Sequence, residues 1–176
     1  MSLRQDFEAR VLPHLDAGYN LARWLMRNEQ AAEDAVQEAA LRAMRYAGSQ
    51  QGEDAKPWWL GIVRNTCLSA LARQRRGAEW LDFDEAAFEA AQAEVAAPRS
   101  DPLEQLADQR QRRLIDAAIQ ALSPPLREVL VLREFEELDY AQIASTVGIP
   151  LGTVMSRLAR AREKLRLALA PSRQER

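Results

Sequence analysis

One cysteine and one histidine in 176 residues exclude an internal disulfide and leave no Cys/His cluster to hold zinc. Aromatic residues make up only 6%. No run of about 18 apolar residues exists to span a bilayer, and residues 1–10 carry charges where a signal peptide needs an apolar segment, so a cytoplasmic protein without membrane insertion is expected. Period-two alternation of apolar and polar residues is missing too, which argues against sheets. Neither a nucleophile with its base, nor a glycine-rich phosphate loop, nor a pair of catalytic carboxylates can be assembled; no enzyme, metal or cofactor is expected. What remains is an ordinary soluble composition, 47% hydrophobic and 28% charged. Cys67 reads as a small buried apolar group rather than a redox sensor, and His14 as an ordinary helix residue.

A net charge of −2 is unsuited to a DNA-binding protein when taken as a total, but the charge is segregated. Residues 1–78 hold 11 Lys/Arg against 9 Asp/Glu, residues 79–108 hold 1 against 9, and residues 109–176 hold 12 against 8. Two mildly basic domains joined by a strongly acidic connector are the organisation this implies.

Apolar spacing is helical nearly throughout, so the expected class is all-α, with two small helical domains. Leu3, Phe7 and Val11 start a helix that breaks near Pro13 and resumes through Leu21, Leu25 and Met26. Ala32, Ala35, Val36, Ala39, Ala40, Ala43 and Met44 form an unbroken apolar stripe, leaving Asp34, Gln37, Glu38, Leu41 and Arg45 on the outer face. Residues 48–56 read as a polar loop. Pro57 at the first turn opens a helix through Arg76 with Trp59, Ile62, Val63, Ala70 and Leu71 inward. The connector, residues 79–106, has Trp80, Phe83 and Phe88 as its few apolar anchors. A helix from about Asp101 to Leu122 follows, and Ser123 with Pro124 caps a further one that buries Leu126, Val129 and Leu130.

Asp139 and Gln142 make a capping box for a short helix ending near Val147. Gly148, Ile149 and Pro150 turn the chain into a last helix with Val154, Leu158, Ala161 and Leu165 inward. Its opposite face carries Thr153, Ser156, Arg157, Arg160 and Lys164, while Gly152 leaves its first turn open to a phosphate. A capped short helix, a three-residue turn with glycine and a second helix bearing hydroxyls and guanidiniums is the pattern of a helix-turn-helix that reads a major groove.

The segments Ser123-Pro124-Pro125-Leu126-Arg127-Glu128-Val129, Tyr140-Ala141-Gln142-Ile143-Ala144 and Gly152-Thr153-Val154-Met155-Ser156-Arg157-Leu158-Ala159-Arg160-Ala161-Arg162 resemble the fourth region of the extracytoplasmic-function (ECF) sigma factors, a branch of the bacterial sigma-70 family. Ala32-Glu33-Asp34-Ala35-Val36-Gln37-Glu38 and Trp59-Leu60-Gly61-Ile62-Val63-Arg64-Asn65-Thr66 resemble its second region. The resemblance implies a second-region domain at 1–78 and a fourth-region domain at 107–176. It implies binding to RNA polymerase core through Asp34, Gln37, Glu38 and Leu41, and reading of promoter DNA. Melting and capture of the minus-ten element would fall to Trp58, Arg64, Asn65, Ser69, Arg73, Arg75 and Arg76, with residues 48–56 as pocket wall. Reading of the minus-thirty-five element would fall to Gly152, Thr153, Ser156, Arg157, Arg160 and Lys164. An anti-sigma factor is a further partner the resemblance implies. Met44-Arg45-Tyr46, where the family often ends in Trp, and Gly61, where a larger residue is frequent, depart from the family pattern.

Two other readings fit parts of the sequence. A helix-turn-helix regulator recruiting intact holoenzyme would share the C-terminal motif, but residues 1–78 show neither a strand-helix receiver domain nor a ligand pocket. A helical adaptor that binds only protein would leave the basic face of the last helix without a purpose.

Overall fold

The computed structural model describes residues 2–49, 52, 54–78 and 102–171, and among them the chain forms eight α-helices and no strand. They are α1 (Leu3–Arg10), α2 (Leu15–Met26), α3 (Glu29–Tyr46), α4 (Ala55–Ala78), α5 (Pro102–Gln120), α6 (Pro124–Glu134), α7 (Tyr140–Val147) and α8 (Leu151–Leu169), with 3-10 turns at Leu12–His14 and Ala47–Ser49. The connector's Trp80, Phe83 and Phe88, and the cap expected at Asp101, lie outside the described residues.

Local chemistry sets the boundaries. Ser2 and Gln5 cap α1 reciprocally, and the Asn28 side chain accepts from the Ala31 N–H at 2.8 Å to start α3. Pro13 separates α1 from α2 through the 3-10 turn. α2 ends on Arg27 in the left-handed region (φ 57°), a conformation unfavourable for a residue with a Cβ. Its side chain donates to Gln120 Oε1 at 2.7 Å and to the Gln120 carbonyl, so contacts from α5 hold it there. Gly148, at φ 76°, ends α7 where a side chain would be strained, and its N–H reaches the Ala144 carbonyl at 2.9 Å.

The small side chains of α3 let it pack closely on α2 and α4. Ala32, Ala35, Ala39 and Ala43 are buried, and Val36 and Ala40 half-buried. Met44, expected in this stripe, is 37% exposed: it continues the flank of half-buried Val36 and Ala40, while the central line through Ala39, Ala43 and Ala47 stays buried. α4 buries Trp59, Leu60, Val63, Thr66 and Cys67, and Ile62, Ala70 and Leu71 only partly. Its inner face is thus rotated toward Leu60. The helix also begins two residues before Pro57, with Asp54 Oδ1 accepting the Lys56 N–H at 3.1 Å. α5 begins at Pro102, one residue after the helix start expected at Asp101 and within the 79–106 connector. Ser123 precedes α6 without a side-chain cap bond; its carbonyl instead accepts the N–H groups of Leu126 and Arg127 at 3.0 and 2.9 Å.

The two units are not separate in space. One apolar cluster runs from Phe7, Leu21, Trp59 and Val63 into Val129, Leu132, Ile143 and Val154. A smaller one joins Ile119, Leu122, Leu126, Leu130 and Ala161. Arg127 is buried where α5, α6 and α2 converge. Its guanidinium donates to the carbonyls of Gln120 and Leu122 at 2.8 Å each, of Ile119 at 3.3 Å and, across the units, of Trp24 at 3.4 Å. It thereby satisfies carbonyls that a helix C-terminus leaves orphaned. Burial, and then the nearby Arg27, push Arg127 down to about 10.

Candidate nucleic-acid interface

Three surfaces carry the residues singled out in the sequence. On α3, Asp34, Gln37 and Leu41 are exposed, Leu41 at 62%, and Glu38 is half-buried. Asp34 accepts from Gln30 Nε2 at 3.1 Å, and Glu38 pairs with Arg42 at 2.6 Å and with Arg73 of α4 at 3.4 Å. Helical spacing puts these residues on one side because the alanine stripe occupies the other.

On α4, Trp59 is fully buried and donates from Nε1 to the His14 carbonyl at 2.8 Å, while Trp58 is half-buried. Asn65, Ser69, Arg73, Arg75 and Arg76 are exposed along the helix. Asn65 Oδ1 accepts from Arg64 Nη1 at 3.4 Å. Arg73, bound to Glu38, joins this basic side of α4 to the outer face of α3.

The third surface is α8. Val154, Leu158 and Ala161 are buried and Leu165 half-buried, as the helix-turn-helix pattern requires. Ser156, Arg160 and Lys164 are exposed and Thr153 and Arg157 half-buried on the other side. A Cβ at Gly152 would meet nothing within 4 Å, so the first turn of α8 is open to close approach. α7 is held by the Asp139/Gln142 capping box, and Arg162 of α8 is fixed by Glu134 at 2.8 Å.

The sequence reading missed what lies between the units. Arg64, a candidate nucleic-acid contact, is paired with Glu128 of α6 through two donors, and both side chains are largely buried. Glu136, in the turn after α6, accepts from Asn20 Nδ2 of α2 at 2.7 Å and faces Lys56 Nζ of α4 at 3.5 Å. Lys56 also donates to the Glu136 carbonyl at 2.7 Å. Gln142 donates to Asp54 at 3.0 Å, and the Thr146 hydroxyl to the Pro57 carbonyl at 3.3 Å. A signal for this interface was available. Arg127 and Glu128 interrupt the otherwise apolar run Leu126 to Leu132, all of which is buried, and charges in such a run need partners from elsewhere.

Residues 11–77 match sigma-70 region 2 and residues 112–165 match sigma-70 region 4. The chain is 35% identical over 179 residues to the RNA polymerase sigma-H factor of Pseudomonas aeruginosa, a match covering 96% of this chain and 88% of that one. It is 33% identical over 168 residues to the ECF RNA polymerase sigma factor SigE of Mycolicibacterium smegmatis, covering 94% of this chain and 62% of the length of that relative. In three dimensions it is similar to the sigma factor RpoE of Bartonella quintana, crystallised with the anti-sigma factor NepR, with a TM-score of 0.77, 26% identity and coverage of 96% of this chain and 99% of that one. With both regions matched in order and relatives of this identity over nearly the whole chain, the protein belongs to the ECF branch of the sigma-70 family of RNA polymerase sigma factors.

Proposed function

We propose that the chain binds RNA polymerase core and directs promoter-specific initiation, catalysing no reaction itself. In this reading α3 docks on the polymerase through Asp34, Gln37, Glu38 and Leu41. The basic side of α4, from Trp58 through Asn65 to Arg76, captures the melted minus-ten strand, because an opened duplex recloses unless an unstacked base is held. α8 enters the major groove of the minus-thirty-five element with Gly152, Thr153, Ser156, Arg157, Arg160 and Lys164. The observation that carries the proposal is the polar face of α8, with Ser156, Arg160 and Lys164 exposed above a buried apolar stripe in a helix-turn-helix.

The site of action is the cytoplasm, where core polymerase and promoter DNA are; no described helix is long and apolar enough to cross a membrane. An anti-sigma protein as regulator is supported by the Bartonella relative, solved in such a complex. Run-off transcription with purified core polymerase lacking any sigma factor tests the function. Promoter-specific transcripts from this chain plus core are expected. Transcripts only with intact holoenzyme would replace this reading with that of a recruiting regulator.

A further inference from the structure

The first two turns of α8 carry two large apolar side chains that no core covers. Leu151 is 48% exposed and Met155 53%. They stand four residues apart and so share one flank of the helix, with exposed Ala159 next on the same line. Arg162, which would extend that line, is drawn back to Glu134 of α6 at 2.8 Å, so the apolar flank ends there. The opposite flank holds Thr153, Arg157, Arg160 and Lys164. Between the two lie Gly152, with nothing within 4 Å of a Cβ built on it, and Ser156, whose hydroxyl is turned back to the Thr153 carbonyl at 3.1 Å. The middle of this face is therefore low, with guanidiniums on one side and apolar side chains on the other.

A single exposed apolar residue is ordinary on any surface. Two on one flank of the segment proposed to enter a major groove call for an apolar partner there. That groove presents hydrogen-bond donors and acceptors along its base edges, and its one apolar group is the C5 methyl of thymine. We propose that Met155, supported by Leu151, is a specificity-determining residue that selects thymine in the minus-thirty-five element by packing on this methyl. The inference rests on the proposed entry of α8 into the groove. Methionine suits the task, because its unbranched, flexible thioether reaches past the helix backbone and conforms to the group it meets. Leu151, one turn back, shields the same contact from water. Cytosine, with only a hydrogen at C5, would leave the Met155 thioether without this partner. The two flanks then divide the reading by chemistry: Arg157 takes a polar base edge and Met155 a methyl.

The test uses the full chain with core polymerase and duplexes that they select from a pool randomised in the minus-thirty-five segment. Each thymine of the selected element is replaced in turn by uracil, which removes the methyl and keeps the base pair. Burying one methyl is worth about fourfold in affinity, so uracil at one thymine should weaken binding by about that factor. Met155→Ala should lose a similar factor on the thymine duplex and become indifferent to uracil at that position, whereas Arg160→Ala should keep the full uracil effect. Uracil also alters stacking, so only the part of the effect that disappears with the side chain measures the contact. Both apolar positions are exposed, so thermal melts should show the variants folded, and Leu151→Ala should lower the uracil effect at the same thymine by a smaller factor. A selected element without thymine, indifference to uracil at every position, or a uracil effect undiminished in both Met155→Ala and Leu151→Ala overturns the methyl contact and leaves α8 in the groove. Selection of no preferred sequence overturns the entry of α8 itself, and the inference with it.

Discussion

Gly18 and Trp59 are matched in shape: a Cβ on Gly18 would stand 2.6 Å from the indole Nε1 of Trp59 and 2.8 to 2.9 Å from two of its ring carbons. The indole cannot yield, since it is fully buried and tied to the His14 carbonyl. Gly18→Ala should therefore destabilise the chain. Overpacking costs about 1–3 kcal/mol, and the better helix propensity of alanine returns at most about 1. Gly61 is the internal control, because a Cβ there would meet only the Thr146 carbonyl oxygen at 3.9 Å, an ordinary contact. Thermal melts should show Gly61→Ala unchanged or more stable and Gly18→Ala less stable. Equal behaviour of the two would mean that Trp59 has room to move.

Cys67 gives a prediction in pH. Burial pushes its thiol up to about 12 from an ordinary 9.0. The folded chain therefore keeps its proton where the unfolded chain releases it. This contribution to stability is fully present below pH 9 and is lost as pH rises from there toward 12, at no more than about 1.4 kcal/mol per unit. At pH 8 a thiol reagent should modify Cys67 no faster than the chain opens, with the rate rising steeply under mild denaturant. Immediate stoichiometric reaction in buffer would mean that this residue is accessible.

The helices and the inward faces were legible in the sequence because apolar periodicity and caps act locally. Asp139 with Gln142, Gly148 as a left-handed turn and the stripe Val154, Leu158, Ala161 all stand where spacing put them. Local signals were weaker at the edge of an apolar stripe and at helix starts. Met44 continues the half-buried flank of Val36 and Ala40, while Ala43 and Ala47 on the central line remain buried. Pro57 is tolerated in the third position of α4 as readily as in the first, since neither N–H has an intrahelical partner. The charges at Arg127 and Glu128 signalled that partners were needed, but which residues supply them was not legible, because the pairs are 64 apart, Arg64 with Glu128, and 116 apart, Asn20 with Glu136. Neither periodicity nor composition carries such pairings. The same limit made Arg64 look like a free donor along with Arg73, Arg75 and Arg76.

The outer face of α3 yields a prediction about docking. Asp34, Gln37 and Leu41 contribute nothing to the buried stripe of alanines. Replacing Asp34 and Gln37 together by Ala should leave helix content and thermal stability within about 0.5 kcal/mol of the original, as surface changes usually do. Binding to core polymerase should weaken by roughly tenfold or more, and Leu41→Ala should add to the loss if it is a buried anchor of the interface. Circular dichroism and a core-binding titration read the two effects separately. Unfolding of the double variant would mean that this face is needed for the fold, and undiminished binding would move docking to another surface.

Arg157 and Arg160 lie on the open side of α8, one half-buried at the edge of the stripe and the other exposed. The difference in burial separates their expected roles. Arg157, half-buried nearer the start of the helix, has less freedom and is placed to present its fork to a base edge. Arg160, one turn further on, is free to follow the phosphate backbone. Arg157→Ala should accordingly cost about 1–3 kcal/mol on the cognate minus-thirty-five duplex and relax discrimination at one base pair. Arg160→Ala should weaken cognate and scrambled duplexes alike and lower the slope of log affinity against log salt by about one unit. Lys164→Ala, still further along, should resemble Arg160→Ala with a smaller effect. Titrations on both duplexes at several salt concentrations decide the matter. If Arg160→Ala alters base discrimination and Arg157→Ala only the salt slope, the helix enters the groove further along its length than its open first turn at Gly152 implies.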